Sequence, residues 1–366
     1  MGKILRIETC IIETPIITDI KTTYGSWVNQ PHVIVRLTSD DGVYGLGESS
    51  TLGFFTGETP EIVRAAIDGE LAEAIRGFDP LDRGAVLLAM DRKLPKNSSS
   101  KAAVDMALHD LAGKILGIPA CRVMGGKVRD KITCAMAIGI HAPDEMQKEA
   151  VSWVGRGFQT LKVKIGAGAG KDEDAVRLIR EAAGAGVKIR VDANQGYTPA
   201  EAIRVARRLE RYDIEYMEQP VPSWDVEGLA HIRRSIGIPV AADEGLYSTH
   251  DALRLIKAEA VDVFIIKIIK TGGLCEAQKI AQLADTADIR CVTVSPLETT
   301  LGTAAGVHWA STLTYSDHDH ELVGPLLLEG DPFEGVVITR NTVQVPEKPG
   351  LGVSISRGDL FGSANS

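Results

Sequence analysis

Thr160-Leu161-Lys162-Val163-Lys164-Ile165 is a short apolar β run with two lysines set two residues apart. Four similar runs follow it: Lys188–Asn194 carries Asp192, Asp213–Pro220 carries Glu218, Pro239–Glu244 carries Asp243, and Val261–Ile266 leads into Lys267. The spacings are 28 residues (164 to 192), 26 (192 to 218), 25 (218 to 243) and 24 (243 to 267). Amphipathic segments such as Ala200–Arg211 and His250–Ala258 lie between the runs. Short β runs alternating with helical ones at one period predict a parallel sheet. With Cys134–Ile140 before the series, Arg290–Val294 after it and an eighth unit near Glu321–Leu328, a (β/α) barrel fits better than an open doubly wound sheet. In a barrel the ends of the strands converge on the C-terminal face, where active sites lie.

Strand parity sharpens this. Side chains alternate along a strand, so Lys162 and Lys164 share one face while Leu161, Val163 and Ile165 take the other. Ile265 and Lys267 pair in the same way, opposite Phe264 and Ile266. A lysine in an apolar run is costly unless it enters a polar site. Asp192, Glu218 and Asp243 come from consecutive strands, and three converging carboxylates repel one another unless a cation sits among them. All-oxygen ligation favours Mg²⁺, or Mn²⁺, over zinc or copper. The lysines flank the trio on either side. Ammonium groups near a divalent cation are expected to have depressed pKa values, the condition for a general base. The set therefore suits removal of a proton next to a substrate carboxylate, with the metal stabilising the ene-diolate. One charged residue at a strand end is ordinarily a cap or salt bridge; five in successive units are not explained by capping.

Outward from this core, residues 4–13 and 32–38 are strand-like, with Asp40-Asp41-Gly42 as a hairpin turn. Helical patterns follow at Glu61–Glu73, Arg83–Asp91 and Ala102–Ile115. Strands followed by helices read as an α+β module. The chain is thus expected to divide into an α+β capping domain (1–128), a barrel carrying the site (129–328) and a C-terminal segment (329–366) packing back on the first module.

The chain has 366 residues, 40 Lys+Arg against 49 Asp+Glu and a net charge of −9, which argues against a general nucleic-acid binder. No apolar run approaches the ~20 residues of a membrane span. The N-terminal charges break any signal-peptide core. Five scattered cysteines, never CxxC-spaced, fit free thiols in a reducing cytoplasm. A homo-oligomer is the general expectation for such barrels.

These motifs, Leu161-Lys162-Val163-Lys164, Val191-Asp192-Ala193-Asn194, Met217-Glu218-Gln219-Pro220, Ala242-Asp243-Glu244 and Lys267-Ile268-Ile269-Lys270-Thr271-Gly272-Gly273, resemble the enolase superfamily, within it the muconate-lactonizing subgroup. Gly45-Leu46-Gly47-Glu48 and Pro349-Gly350-Leu351-Gly352 extend the resemblance over nearly the whole chain. It implies an α+β cap, a (β/α)7β barrel, Mg²⁺ on Asp192, Glu218 and Asp243, and Lys164 and Lys267 as paired acid and base, with Lys162 tuning Lys164. Ser295 at the seventh strand end leaves no place for the His–Asp dyad of the mandelate-racemase subgroup. The resemblance also places Tyr24, Trp27, Phe54, Asn194, Ser295, Glu298 and Glu321 at the pocket for a small-molecule carboxylate, with Phe55 and Glu48 nearby.

Glu321-Leu322-Val323-Gly324-Pro325-Leu326 is similar to the eighth strand of muconate cycloisomerases. Dipeptide epimerases carry Asp-x-Asp there, where this chain has Glu321 and Val323; Asp317-His318-Asp319 supplies the pattern four residues earlier if the register shifts. The expectation is therefore a cycloisomerase first, a dipeptide or N-acyl amino acid racemase/epimerase second, and a syn dehydratase of the succinylbenzoate synthase type third. A metal-free Schiff-base aldolase and a non-catalytic barrel are the rivals from other classes. Gly166–Gly170 fails as a dinucleotide motif, because Lys171 stands where glycine is needed. Lys270 reads as a loop or helix-start lysine, His308 as core, and His318 and His320 as surface residues near the pocket.

Overall fold

The computed structural model describes residues 2–18, 20–358 and 360–362. The chain begins with an antiparallel sheet of β1 (Ile4–Pro15), β2 (Asn29–Ser39) and β3 (Tyr44–Ser50). The Ser98–Leu116 helix lies directly on β3. Glycine makes that approach possible: a Cβ on Gly45 would stand 2.2 Å from the Ala107 carbonyl oxygen, and one on Gly47 would stand 2.0 Å from that of Ala103. No side chain fits there, so this part of the Gly45-Leu46-Gly47-Glu48 motif has a packing cause.

After β4 (Lys131–Thr133), seven parallel strands follow in chain order around one sheet: β5 (Met136–Ile138), β6 (Thr160–Lys164), β7 (Lys188–Asp192), β8 (Ile214–Glu218), β9 (Val240–Ala242), β10 (Val263–Ile266) and β11 (Arg290–Thr293). The ring closes through an eighth segment far shorter than the Glu321–Leu328 run expected. His320 bridges Cys134 and Glu321 bridges Val294, both in parallel sense. The chain then enters a 3-10 turn at Gly324–Leu326, with Pro325 preventing continued pairing.

The alternation read from sequence is present. Tyr216, Ala241, Val263, Ile265, Val292 and Val294 form the packed interior of the barrel. Leu161, Val163, Ile165, Phe264 and Ile266 belong to the larger core between sheet and helices. The Glu61–Glu73 pattern is one nearly continuous helical path, Pro60–Ala66 and Ala72–Ile75, joined by a π turn at Ile67–Leu71. At the C-terminal end, Thr342–Gln344 pairs with β4, and Leu351 N donates to Asp110 on the cap helix at 2.8 Å. Among the described residues no helix is long and apolar enough to cross a membrane, and all five cysteines are free.

Candidate active site at the C-terminal mouth of the barrel

Sheet register sets the site. Lys164 pairs with Asp192, Asp192 with Glu218, and Glu218 with Ala241, so these ends lie at one level. Asp243 follows two residues after Ala241 and therefore shares its face. Asp192, Glu218 and Asp243 are fully buried.

The lysines meet them from both sides. Lys164 Nζ lies 2.5 Å from Asp192 Oδ2 and 3.0 Å from Asn194 Oδ1. Lys267 donates to Asp243 Oδ2. Lys162 sits between Glu321 (2.6 Å) and Glu218 (3.3 Å). Burial alone would lower Lys162 and Lys267. The attraction of Glu218, Glu321 and Asp192 for the first, and of Asp243, Glu244 and Glu218 for the second, outweighs it, so both lie above the usual lysine range. The carboxylates contact these amines directly, whereas the depression expected from sequence belongs to the site with a divalent cation bound. Glu218 is driven well above the usual carboxylate range by burial and by Asp192. Burial also opposes ionisation of Asp243, but Lys267 and Lys270 overcome it and hold its carboxyl low.

Three buried carboxylates at one level of the barrel mouth offer oxygen donors that fit a hard divalent cation. A fourth, Glu244, stands beside them with Oε2 lacking a hydrogen-bond partner among the described residues. Its other oxygen accepts from Tyr24 Oη (2.7 Å) and Asn194 Nδ2 (3.1 Å). Gln219 Oε1 accepts from the backbone N–H groups of Asp243 (3.0 Å) and Gly245 (3.1 Å), fixing that turn. Asn194 (φ 40°) and Gln219 (φ 32°) both hold left-handed backbone just beyond the carboxylates, the kind of local strain that clusters at functional sites.

Above this floor is an apolar pocket. Tyr24 stacks on Phe54 with ring centroids 4.7 Å apart, and Trp27 meets the same ring edge-on at 5.1 Å. Lys162, Lys164, Lys267, Asn194, Ser295, Glu321 and Val323 reach its wall. The Lys267 ammonium also lies 4.1 Å from the Phe55 ring centroid.

Glu298 is not on that wall. It is buried behind Ser295, and burial raises its pKa to about 8. Glu48 is no pocket residue either: its carboxylate accepts from His32, Thr299 and the Gly302 N–H, joining the cap to the start of the Thr300–Thr312 helix.

The shifted register of the eighth strand is excluded. Asp317 pairs with Arg290 and Asp319 accepts from Thr160, both at the starts of their strands and thus at the opposite mouth. His320, expected near the surface, is fully buried, its Nδ1 accepting from the Thr293 N–H.

Lys270 was missed as well. It is fully buried, with Nζ 2.5 Å from Asp243 Oδ1 and also donating to the Asp243 carbonyl. Its signal was present in the three-residue offset from Lys267, which one turn of the short Ile268–Thr271 helix brings back beneath the same carboxylate.

Residues 6–125 match the model of the mandelate racemase/muconate lactonizing enzyme N-terminal domain, and residues 145–359 match that of the enolase C-terminal domain-like family. The L-Ala-D/L-Glu epimerase of Bacillus subtilis is 35% identical over 362 residues, covering 96% of each chain. Muconate cycloisomerase 1 of Rhodococcus opacus is 31% identical, again covering 96% of each. A dipeptide epimerase from Enterococcus faecalis, solved with Mg and the dipeptide L-Leu-L-Tyr, superposes with a TM-score of 0.93 at 33% identity, covering 96% of this chain and 99% of that one.

Proposed function

Because the chain belongs to the mandelate racemase/muconate lactonizing enzyme family of the enolase superfamily, whose relatives here are isomerases, we propose that it is a Mg²⁺-dependent racemase or epimerase of amino acid derivatives. The observation that carries this is the placement of Lys164 and Lys267 at opposite ends of the carboxylate trio, both opening into one apolar pocket. Asp192, Glu218 and Asp243 would hold the ion, which when bound supplies Lewis-acid stabilisation of the charge that develops on a substrate carboxylate.

The chain's own groups move the proton. One lysine, as the free amine, takes the α-proton and becomes an ammonium. The other, already an ammonium, delivers a proton to the opposite face and becomes the amine. Asp192 and Asp243, when engaged as metal ligands, would hold Lys164 and Lys267 less tightly, which would bring the amine form within reach. Lys162 stays charged between Glu218 and Glu321 and offsets their repulsion. Asn194 fixes the Lys164 amine through its side-chain oxygen, and Tyr24, Trp27 and Phe54 exclude water.

The wall narrows the substrate. Glu321 is engaged by Lys162, and Val323 stands where a second carboxylate would help to hold an ammonium. This favours a capped amino group, an N-acyl amino acid with an apolar side chain, over a dipeptide with a free amine. Relatives at 32–36% identity are epimerases or racemases, an N-succinyl-L-Arg/Lys racemase among them, which supports racemisation or epimerisation ahead of the lactonizing activity expected first from sequence. A cycloisomerase remains the second reading on one feature, Glu321-Leu322-Val323-Gly324-Pro325. Incubation in D₂O with Mg²⁺ and separate sets of N-acyl amino acids, dipeptides and muconates tests the choice by NMR. Deuterium at the α carbon with loss of optical activity supports racemisation; lactone formation from muconate without such exchange overturns it.

A further inference from the structure

Apart from the carboxylate trio, the contact between the Ser98–Leu116 helix of the cap and the Leu274–Thr286 helix of the barrel brings together Asp105, His109 and Cys275. One ligand-type atom from each lies within 4.8 Å of the other two. Asp105 and His109 are buried, and Cys275 is half-buried.

The hydrogen bonds fix what each group has left to offer. His109 Nδ1 lies 2.8 Å from the Asp105 carbonyl oxygen, which can only accept, so Nδ1 carries the proton and Nε2 bears the lone pair. That lone pair faces Cys275 Sγ at 3.8 Å. Asp105 Oδ2 has a structural task, accepting from the Cys275 N–H at 3.1 Å at the start of the barrel helix. Oδ1 does not. It lies 3.4 Å from His109 Nδ1, whose N–H is already directed at the carbonyl, and it has no hydrogen-bond partner among the described residues. A buried carboxylate oxygen left in this state is costly unless something else binds it.

We propose that Asp105, His109 and Cys275 form a second metal site, selective for Zn²⁺, that clamps the cap to the barrel. Thiolate, imidazole and carboxylate are the donors zinc takes, whereas the oxygen-only trio at the barrel mouth suits a harder ion. The two sites thus sort metals by donor chemistry. Binding exchanges the thiol proton of Cys275 for the Zn–S bond and releases one proton per ion with no change of oxidation state; His109 enters as the neutral imidazole. Because the cap carries Tyr24, Trp27 and Phe54, the clamp also steadies the wall of the substrate pocket.

The test uses the full chain with reduced thiols, stripped of metal and supplied with excess Mg²⁺, then titrated with Cd²⁺ as a spectroscopic probe. The expected result is a sulfur-to-cadmium charge-transfer band saturating at one ion per chain, with one proton released and with Zn²⁺ competing the band away. Cys275→Ser abolishes it, His109→Gln weakens Cd²⁺ binding by about tenfold or more, and Asp243→Asn leaves it intact. No band in the wild-type chain, or a band of equal size in Cys275→Ser, overturns the proposal. Neither result bears on the carboxylate site, so the two readings fail separately.

Discussion

Replacing Lys270 with methionine isolates a charge that the barrel has buried beneath its candidate metal site. The side chain keeps its length and its apolar stem, so packing changes little. What disappears is the ammonium that contacts both the carboxylate and the carbonyl of Asp243. Breaking a buried ion pair outright costs roughly 3–5 kcal/mol, and leaving a carbonyl unsatisfied about 1–3 kcal/mol. Here Lys267 still holds the other carboxylate oxygen, so the pair is halved and not broken. Lys270 is itself pushed below the usual lysine range by burial despite the pull of Asp243, so its removal also relieves a desolvation cost. The net expectation is a loss of about 2–4 kcal/mol, which for a chain of this length is a fall in melting temperature of about 3–5 °C. Differential scanning calorimetry at neutral pH measures it directly, and Mg²⁺ affinity should fall about 10- to 100-fold, since the group orients a proposed ligand. A variant melting with the wild type and binding Mg²⁺ equally well would refute this account of Lys270.

Lys164→Ala and Lys267→Ala should each lower turnover by about 10²- to 10⁴-fold while leaving α-proton exchange with one enantiomer only, the opposite one in each variant; equal residual exchange of both enantiomers would contradict the two-base arrangement. Glu298, raised to about 8 from an ordinary value of 4.5, binds its proton more tightly folded than unfolded, so its stabilisation is complete below pH 4.5 and is lost as pH rises through about 8. Denaturation at pH 5, 7 and 9 should show a decline of roughly 3–5 kcal/mol from this group that Glu298→Gln lacks, and parallel profiles would contradict it. Val323→Asp, placing a second carboxylate on the pocket wall, should shift kcat/KM toward substrates with a free ammonium by about tenfold or more relative to N-acyl ones; an unchanged ratio would show that position 323 does not select the substrate.

The elements legible in the sequence were those governed by local alternation. The βα period, the inward face of Lys162, Lys164 and Lys267, and the common level of the three carboxylates follow from a two-residue repeat and a near-constant spacing. What was not legible depends on contacts between distant segments. Glu48 reads as a pocket acid until Thr299 and Gly302, about 250 residues away, are seen to consume it. Lys270 reads as a loop or helix-start lysine until one helical turn returns it to Asp243. The eighth strand was ambiguous because, among the described residues, only His320 and Glu321 bridge to the barrel there, too short a run for alternation to select among the three neighbouring acids Asp317, Asp319 and Glu321.

That brief closure divides the ring into unequal parts. The strands bearing the lysines and the carboxylate trio, β6 to β10, form an unbroken arc of laterally bonded neighbours, each propped by the next. Glu321 and Val323 lie at the seam, where two bridges substitute for a full ladder. Glu321 is tied to the arc through Lys162, but among the described residues Val323 has no bridge to a barrel strand, so the choice of what enters can drift at that position while the proton-transfer apparatus stays fixed. Amide hydrogen exchange should report the same division, with the seam opening well before the arc.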